Sequence, residues 1–131
     1  ISCDGSYTNA LLARELLSAG GCLVSEYPVS SPIQRYQYIQ RDRLQSGISD
    51  AVIVIESEYD GGTMHTARYG IRQGRKLACI DSRLLRHSSG NRWLEAQNGV
   101  SVIRNMADLN CFVNALSECM EYRQMTLNGL V

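Results

Sequence analysis

The chain is poor in proline, lysine and phenylalanine, has a single tryptophan, and carries no net charge at pH 7. It lacks an apolar run near the ~18–20 residues of a membrane span and a signal-peptide pattern at its start. No membrane association is therefore expected. Zero net charge argues against coating nucleic acid by bulk attraction, so any anion contact must come from a local cluster. The five cysteines (Cys3, Cys22, Cys79, Cys111 and Cys119) are odd in number, and no two are spaced C-x-x-C. That argues against a zinc site and against a disulfide framework. All five are expected as free thiols of a cytoplasmic protein, with Cys22 and Cys79 buried in strands. His65 and His87 stand far apart in sequence, and no metal site is expected. There is no G-x-S-x-G elbow and no local Cys–His pattern. No catalytic set and no cofactor follow from the residues.

What is present reads as one soluble domain. The 131 residues suit a single core, and 44% hydrophobic with 20% charged is ordinary for a globular chain. Periodicity predicts helices near 8–19, 37–46, 62–73 and 106–120. Thr8 or Asn9 is placed to cap the first, and Gly20-Gly21, Gly47 and Gly74 to end the first three. Short apolar runs predict strands near 22–25, 51–56, 76–80 and 101–103. The run Ala51–Ile55 is β-branched and apolar on both faces, as in an interior parallel strand. Pro28 and Pro32 mark a loop, residues 81–91 a polar one, and Trp93-Leu94 a short helical turn. Asn105 and Asp108 form a capping-box pattern. Strands alternating with helices predict an α/β fold with a mostly parallel sheet.

In such a sheet ligands bind beyond the carboxyl ends of the strands. Gly61-Gly62-Thr63 follows the strand ending at Ile55 and enters a helix. Glycines admit a ligand to the backbone, and a helix start suits phosphate. The same residues also make an ordinary turn with an N-cap. Arg35, Arg41 and Arg43 interleave with Tyr36 and Tyr38, a pattern of charge and rings that suits single-stranded nucleic acid. It equally suits a solvated helix face. The cations are almost all arginine, with Lys76 the exception, and arginine favours bidentate phosphate contact. Arg83, Arg86, His87 and Arg92 make a third basic segment. Glu56 is the one carboxylate placed for chemistry; its alternative role is to accept backbone N–H groups of the turn.

These segments, in this order, resemble the DprA/Smf family of DNA-processing proteins. The matching stretches are LVSEYP (Leu23 to Pro28), YIQRDRLQSGISDAVIVIE (Tyr38 to Glu56), GTMHTARYGIRQGRKLACID (Gly62 to Asp81) and GNRWLEAQNGVSVIRNMADL (Gly90 to Leu109). The resemblance implies a Rossmann-like sheet, single-stranded DNA binding, a role in transformation, and delivery of that DNA to a RecA-type recombinase. By position, Arg41 and Arg43 fall on the family's arginine motif, and Gly62, Thr63 and Arg68 on its glycine-helix motif. Gly61 stands where Ser is common, Gln40 replaces Arg, Asp42 replaces Asn, His65 replaces an apolar residue, and Asp81 replaces a Pro-Gly turn. The family's G-S-R strand end and G-x-A-R-G-I-D loop would precede Ile1. The expectation is one Rossmann-like domain over 1–131, the C-terminal half to two thirds of the family domain. The strand at 51–55 should then have an open edge, covered by upstream chain or by self-association.

The resulting expectation is a DNA-binding protein rather than an enzyme, a homo-oligomer using Tyr38, Arg41, Arg43, Gly61, Gly62, Thr63 and Arg68. The alternative is a LOG-like domain that binds a nucleotide or cleaves a nucleoside monophosphate, with Glu56 polarising water or ribose. A third is a remnant serving as a protein-interaction surface.

Overall fold

Helix α1 (Tyr7–Ser18) opens the chain and ends where its hydrogen bonds can close. Gly20 takes φ of 83°, its N–H donates to Leu17 O, and Gly21 N–H donates to Leu16 O. This is a Schellman closure, which needs a left-handed residue that glycine supplies without a Cβ penalty. The computed structural model describes residues 7–28 and 30–128, with side chains from 9 to 28 and 30 to 118. The chain falls into two units, Ile1–Gln37 and Tyr38–Val131.

In the first unit α1 already includes Thr8 and Asn9, the residues expected to cap it. Residues 21–25 are irregular rather than a strand. Leu23 and Val24 are exposed, and so is Cys22, which was expected in the core. Four apolar-leaning residues have the composition of a strand, but a strand exists only through a ladder partner. None takes up these backbone groups among the described residues.

The second unit holds the sheet. Helix α2 (Arg35–Ile48), whose first residues belong to the first unit, runs through Gly47 instead of stopping before it. It leads to β1 (Ala51–Val54), α3 (Thr63–Arg72), β2 (Lys76–Ile80), a 3-10 turn (Ser82–Leu84), α4 (Ser89–Glu95), β3 (Val100–Ile103) and α5 (Met106–Asn128). Three parallel strands lie in the order β1-β2-β3. Val54 faces Cys79, and Ile80 faces Ile103. The fold is α/β and Rossmann-like.

Strand alternation divides the core into two. On one face Val54, Leu77 and Cys79 pack with Met64 and Ala67 of α3 and Leu94 of α4. On the other, Ala78 and Ile103 pack with Phe112 of α5. Each large apolar side chain so buried contributes about 1.5–3 kcal/mol. Gly70 permits close docking of α3, since a Cβ there would lie 3.2 Å from Leu77 Cδ1. Helix α3 ends like α1: Gly74 has φ of 67°, and Arg75 N–H reaches Gly70 O. Asp108 N–H bonds Asn105 Oδ1, and Asp108 Oδ2 receives Arg104 N–H, so the expected cap opens α5. Residues 81–91 are more ordered than a polar loop, because α4 starts at Ser89. On its far side β1 pairs with no strand among the described residues. No described helix is long and apolar enough to cross a membrane.

Candidate nucleic-acid interface

The carboxyl ends of β1 and β2 are held by one buried amide. Asn91, fully enclosed, donates through Nδ2 to Ile55 O and Ile80 O and accepts at Oδ1 from Ser57 N–H. Gly90 N–H donates to Ser57 O at 2.9 Å. A Cβ on Gly90 would sit 2.7 Å from that oxygen and 2.8 Å from Met64 Sδ, so no larger residue fits. The Gly-Asn pair thus ties α4 to the turn after β1. No sequence signal marks Asn91 for this, because its partners lie 11 to 36 positions away.

Glu56 accepts backbone N–H groups as expected, but from the segment before α4 rather than from its own turn. Its Oε1 accepts the N–H groups of His87 at 2.8 Å and Arg86 at 3.1 Å, which pull its carboxyl below the ordinary range. Glu58 accepts from the Ser89 hydroxyl and meets His87 Nδ1 at 3.3 Å, and is lowered likewise. Asp81 is buried and caps the 3-10 turn by accepting Arg83 N–H. The Arg83 guanidinium closes on it at 2.6 Å, and Arg104 approaches to 3.2 Å. The Arg83 bonds hold the Asp81 carboxyl well below the usual carboxylate range. An ion-paired cap therefore closes the chain at Asp81, and Arg83 is spent on it. Burial, with the nearby Glu95 and Asp81 charges, pushes the Cys79 thiol up to about 11. Cys22, expected in the core beside it, is exposed; Cys3 lies outside the described residues, as does the Cys119 side chain.

The turn after β1 brings Gly61, Gly62 and Thr63 to the start of α3. Gly61 is packed, since a Cβ would lie 2.8 Å from Ser57 Oγ, whereas nothing lies within 4 Å of one on Gly62. Thr63 is exposed. Arg68 does not stand free. Its Nη2 donates to Tyr59 O at 3.1 Å, and its guanidinium lies 4.7 Å from the Tyr59 ring and 5.5 Å from Trp93. The two rings meet edge to face at 6.0 Å. This aromatic pair escaped the sequence reading, since no local spacing links residues 59, 68 and 93.

Arg41 and Arg43 lie on α2, away from that turn. Arg41 is exposed; its guanidinium lies 5.5 Å from the Tyr38 ring, and its Nη2 pairs with the buried Asp42 at 3.2 Å. The Arg43 carbonyl accepts from Ser46 Oγ and Gln73 Nε2. Gln73 closes the far end of α3 from Gly62, and a ten-residue helix is about 15 Å long. The structure thus brings Tyr38 and Arg41 together on α2, and sets Arg68 on Tyr59 of the turn that leads to Gly62.

Comparison with known proteins decides the relationship. Residues 4–114 match the family described as DNA recombination-mediator protein A. The chain belongs to the DprA/Smf family of DNA-processing proteins. Protein Smf of Escherichia coli (strain K12) is 37% identical over 95 residues, covering 72% of this chain and 25% of that protein. DNA processing protein DprA of Bacillus subtilis (strain 168) is 29% identical over 87 residues, covering 66% of this chain and 29% of that one. Protein Smf of Synechocystis is 40% identical over 55 residues. The chain therefore spans only 25% and 29% of the first two relatives' lengths. Within the DprA/Smf chain, the Gly90-Asn91 and Gly61 positions serve architecture, while Arg41, Gly62 and Thr63 face solvent.

Proposed function

We propose that this DprA/Smf chain binds single-stranded DNA through α2 and delivers it to a RecA-type recombinase during DNA uptake and recombination. The observation that carries the reading is the exposed Arg41 guanidinium set over Tyr38 on one helix. It offers a charge to phosphate and a ring to a base. Arg43 adds a second cation, and the Gly61-Gly62-Thr63 turn with Arg68 forms a second contact region. The description of the matching family as a recombination mediator supports the recombinase half. The nucleotide-cleaving alternative is weakened because the Glu56 carboxylate already accepts two backbone N–H groups. The far edge of β1, without a strand partner among the described residues, suits self-association or pairing with further chain.

Fluorescence anisotropy with a labelled oligonucleotide tests the binding. Single strands are expected to bind ahead of duplex, with a shallow salt slope of about −0.7 per phosphate contact. Replacing Arg41 and Arg43 by Ala should weaken binding to all sequences alike, since phosphate contacts carry no base information. Stability should move by only about ±0.5 kcal/mol. A thermal shift with a nucleoside monophosphate that requires Gly62, without oligonucleotide binding, would replace this reading by the nucleotide one. Delivery is tested by whether the chain speeds coating of the oligonucleotide by a RecA-type recombinase. Light scattering after size exclusion should give a dimer mass or larger; a monomer would exclude self-association.

A further inference from the structure

We infer that the exposed Tyr59 ring, held by Arg68 and edge-on to Trp93, is a stacking platform for an unpaired nucleobase at the carboxyl end of the sheet. The inference rests on the single-stranded DNA reading and specifies what its second contact region takes: a base rather than a phosphate.

Tyr59 is held at both backbone groups by side chains. Its N–H donates to Ser89 Oγ at 2.8 Å, and its carbonyl accepts from Arg68 Nη2 at 3.1 Å. Its ring lies under the same guanidinium at 4.7 Å. Trp93 is anchored from below, packing against the core of Val54, Met64 and Leu94. Yet the tyrosine remains 43% exposed. An aromatic side chain so constrained has already lost its conformational freedom, so a base stacking on it orders little more. Cation–π contact with Arg68 keeps the ring in one orientation.

The charge around the platform selects between base and phosphate. Glu56, Glu58 and Asp60 are all exposed in the same turn, five residues from Glu56 to the packed Gly61. Arg68 is the cation engaged with both rings. His87 Nδ1 offsets Glu58 at 3.3 Å, but Glu56 and Asp60 still repel a phosphate, whereas a neutral base is indifferent to their charge. Phosphate therefore belongs with Arg41 and Arg43 on α2, and the base with Tyr59. A strand running between them would use both regions.

Trp93 is the only tryptophan, so its emission reports this place alone. The 131-residue chain is titrated with oligothymidylate and with an abasic oligonucleotide of equal length, and anisotropy of the labelled strands is followed in parallel. Oligothymidylate should quench Trp93 and the abasic strand should not. Tyr59→Ala should weaken oligothymidylate binding about fivefold or more and leave the abasic strand unaffected. The salt slope should stay unchanged, because no phosphate contact is lost. Tyr59→Phe should restore binding. If oligothymidylate binds by anisotropy with Trp93 emission unchanged, the platform is wrong and the DNA reading stands. An equal loss for both strands in Tyr59→Ala also overturns it. If neither strand binds, both readings fall.

Discussion

Gly90-Asn91 and Arg41–Arg43 both lie in stretches that match the family, yet their surroundings are opposite. Asn91 has no exposed surface, and its amide is closed by Ile55 O just past β1, Ile80 O at the end of β2 and Ser57 N–H in the turn between β1 and α3. Arg41 is exposed and, among the described residues, its side chain meets its neighbour Asp42 and the Tyr38 ring. Sequence matching cannot separate these two kinds of residue. Closure of hydrogen-bonding capacity can: a fully buried side chain with three of its four hydrogen-bonding sites taken has nothing within reach of a ligand. An exposed guanidinium has five N–H donors and uses few of them.

The largest expected effects fall on the closed region. Asn91→Ala strips partners from three backbone groups at once, each costing about 1–3 kcal/mol when buried and unmet. Water entering the gap recovers some of this, leaving roughly 3–5 kcal/mol lost. Asn91→Asp keeps the shape but sets an oxygen against Ile55 O and Ile80 O, so it should be destabilising too. Gly90→Ala forces a methyl group against Ser57 O and should cost about 1–3 kcal/mol or more. Urea midpoints at constant slope measure all three. A loss below about 1 kcal/mol for Asn91→Ala would mean the clamp is not what joins α4 to the strand ends.

A smaller effect comes from Asp81, closed by Arg83 and Arg104. Its carboxyl is depressed in the folded chain, chiefly by the Arg83 side-chain and backbone hydrogen bonds. A depressed acid stabilises the fold above its unfolded pKa of about 3.9, and the gain is lost as pH falls from there toward the folded value. Melting temperature should hold from pH 7 to about 5 and decline steeply below about 4. Glu56 and Glu58 act with the same sign. Asp81→Asn should melt lower at pH 7 and lose part of the acid decline. Parallel melting curves for the variant and the parent through the acid range would rule out the ion-paired cap as a source of stability.

The same division explains what was legible in the sequence. The strands at 51–54, 76–80 and 100–103 and the closures at Gly20 and Gly74 are written in residues close together in sequence. So is the Asn105–Asp108 cap. The Asn91 clamp, the early start of α4 and the Tyr59–Arg68–Trp93 cluster depend on contacts made only after the sheet has formed. Residues 22–25 failed for the complementary reason: their local composition suits a strand, but pairing is not a local property. Arg41 and the glycine turn stand out in the sequence as candidates. The sequence did not show that Asp42 would pair with Arg41, or that Arg68 would be enclosed by two rings.

Asp42 gives the subtlest test of the contrast, because it brings partial closure to an otherwise open region. Its carboxylate is mostly buried and lies 3.2 Å from Arg41 Nη2, while the arginine itself is exposed. A phosphate approaching Arg41 must compete with that charge. Asp42→Asn keeps the size and one acceptor oxygen but removes the charge. Pairs with an exposed partner are worth about 0–1 kcal/mol, so oligonucleotide affinity should rise about two- to fivefold at low salt. The gain should fade near 1 M salt, where the screening length is only about 3 Å. Binding unchanged at every salt concentration would mean that Arg41 does not contact phosphate. A fall in affinity with the fold intact would mean that Asp42 holds Arg41 in its binding posture rather than competing for it.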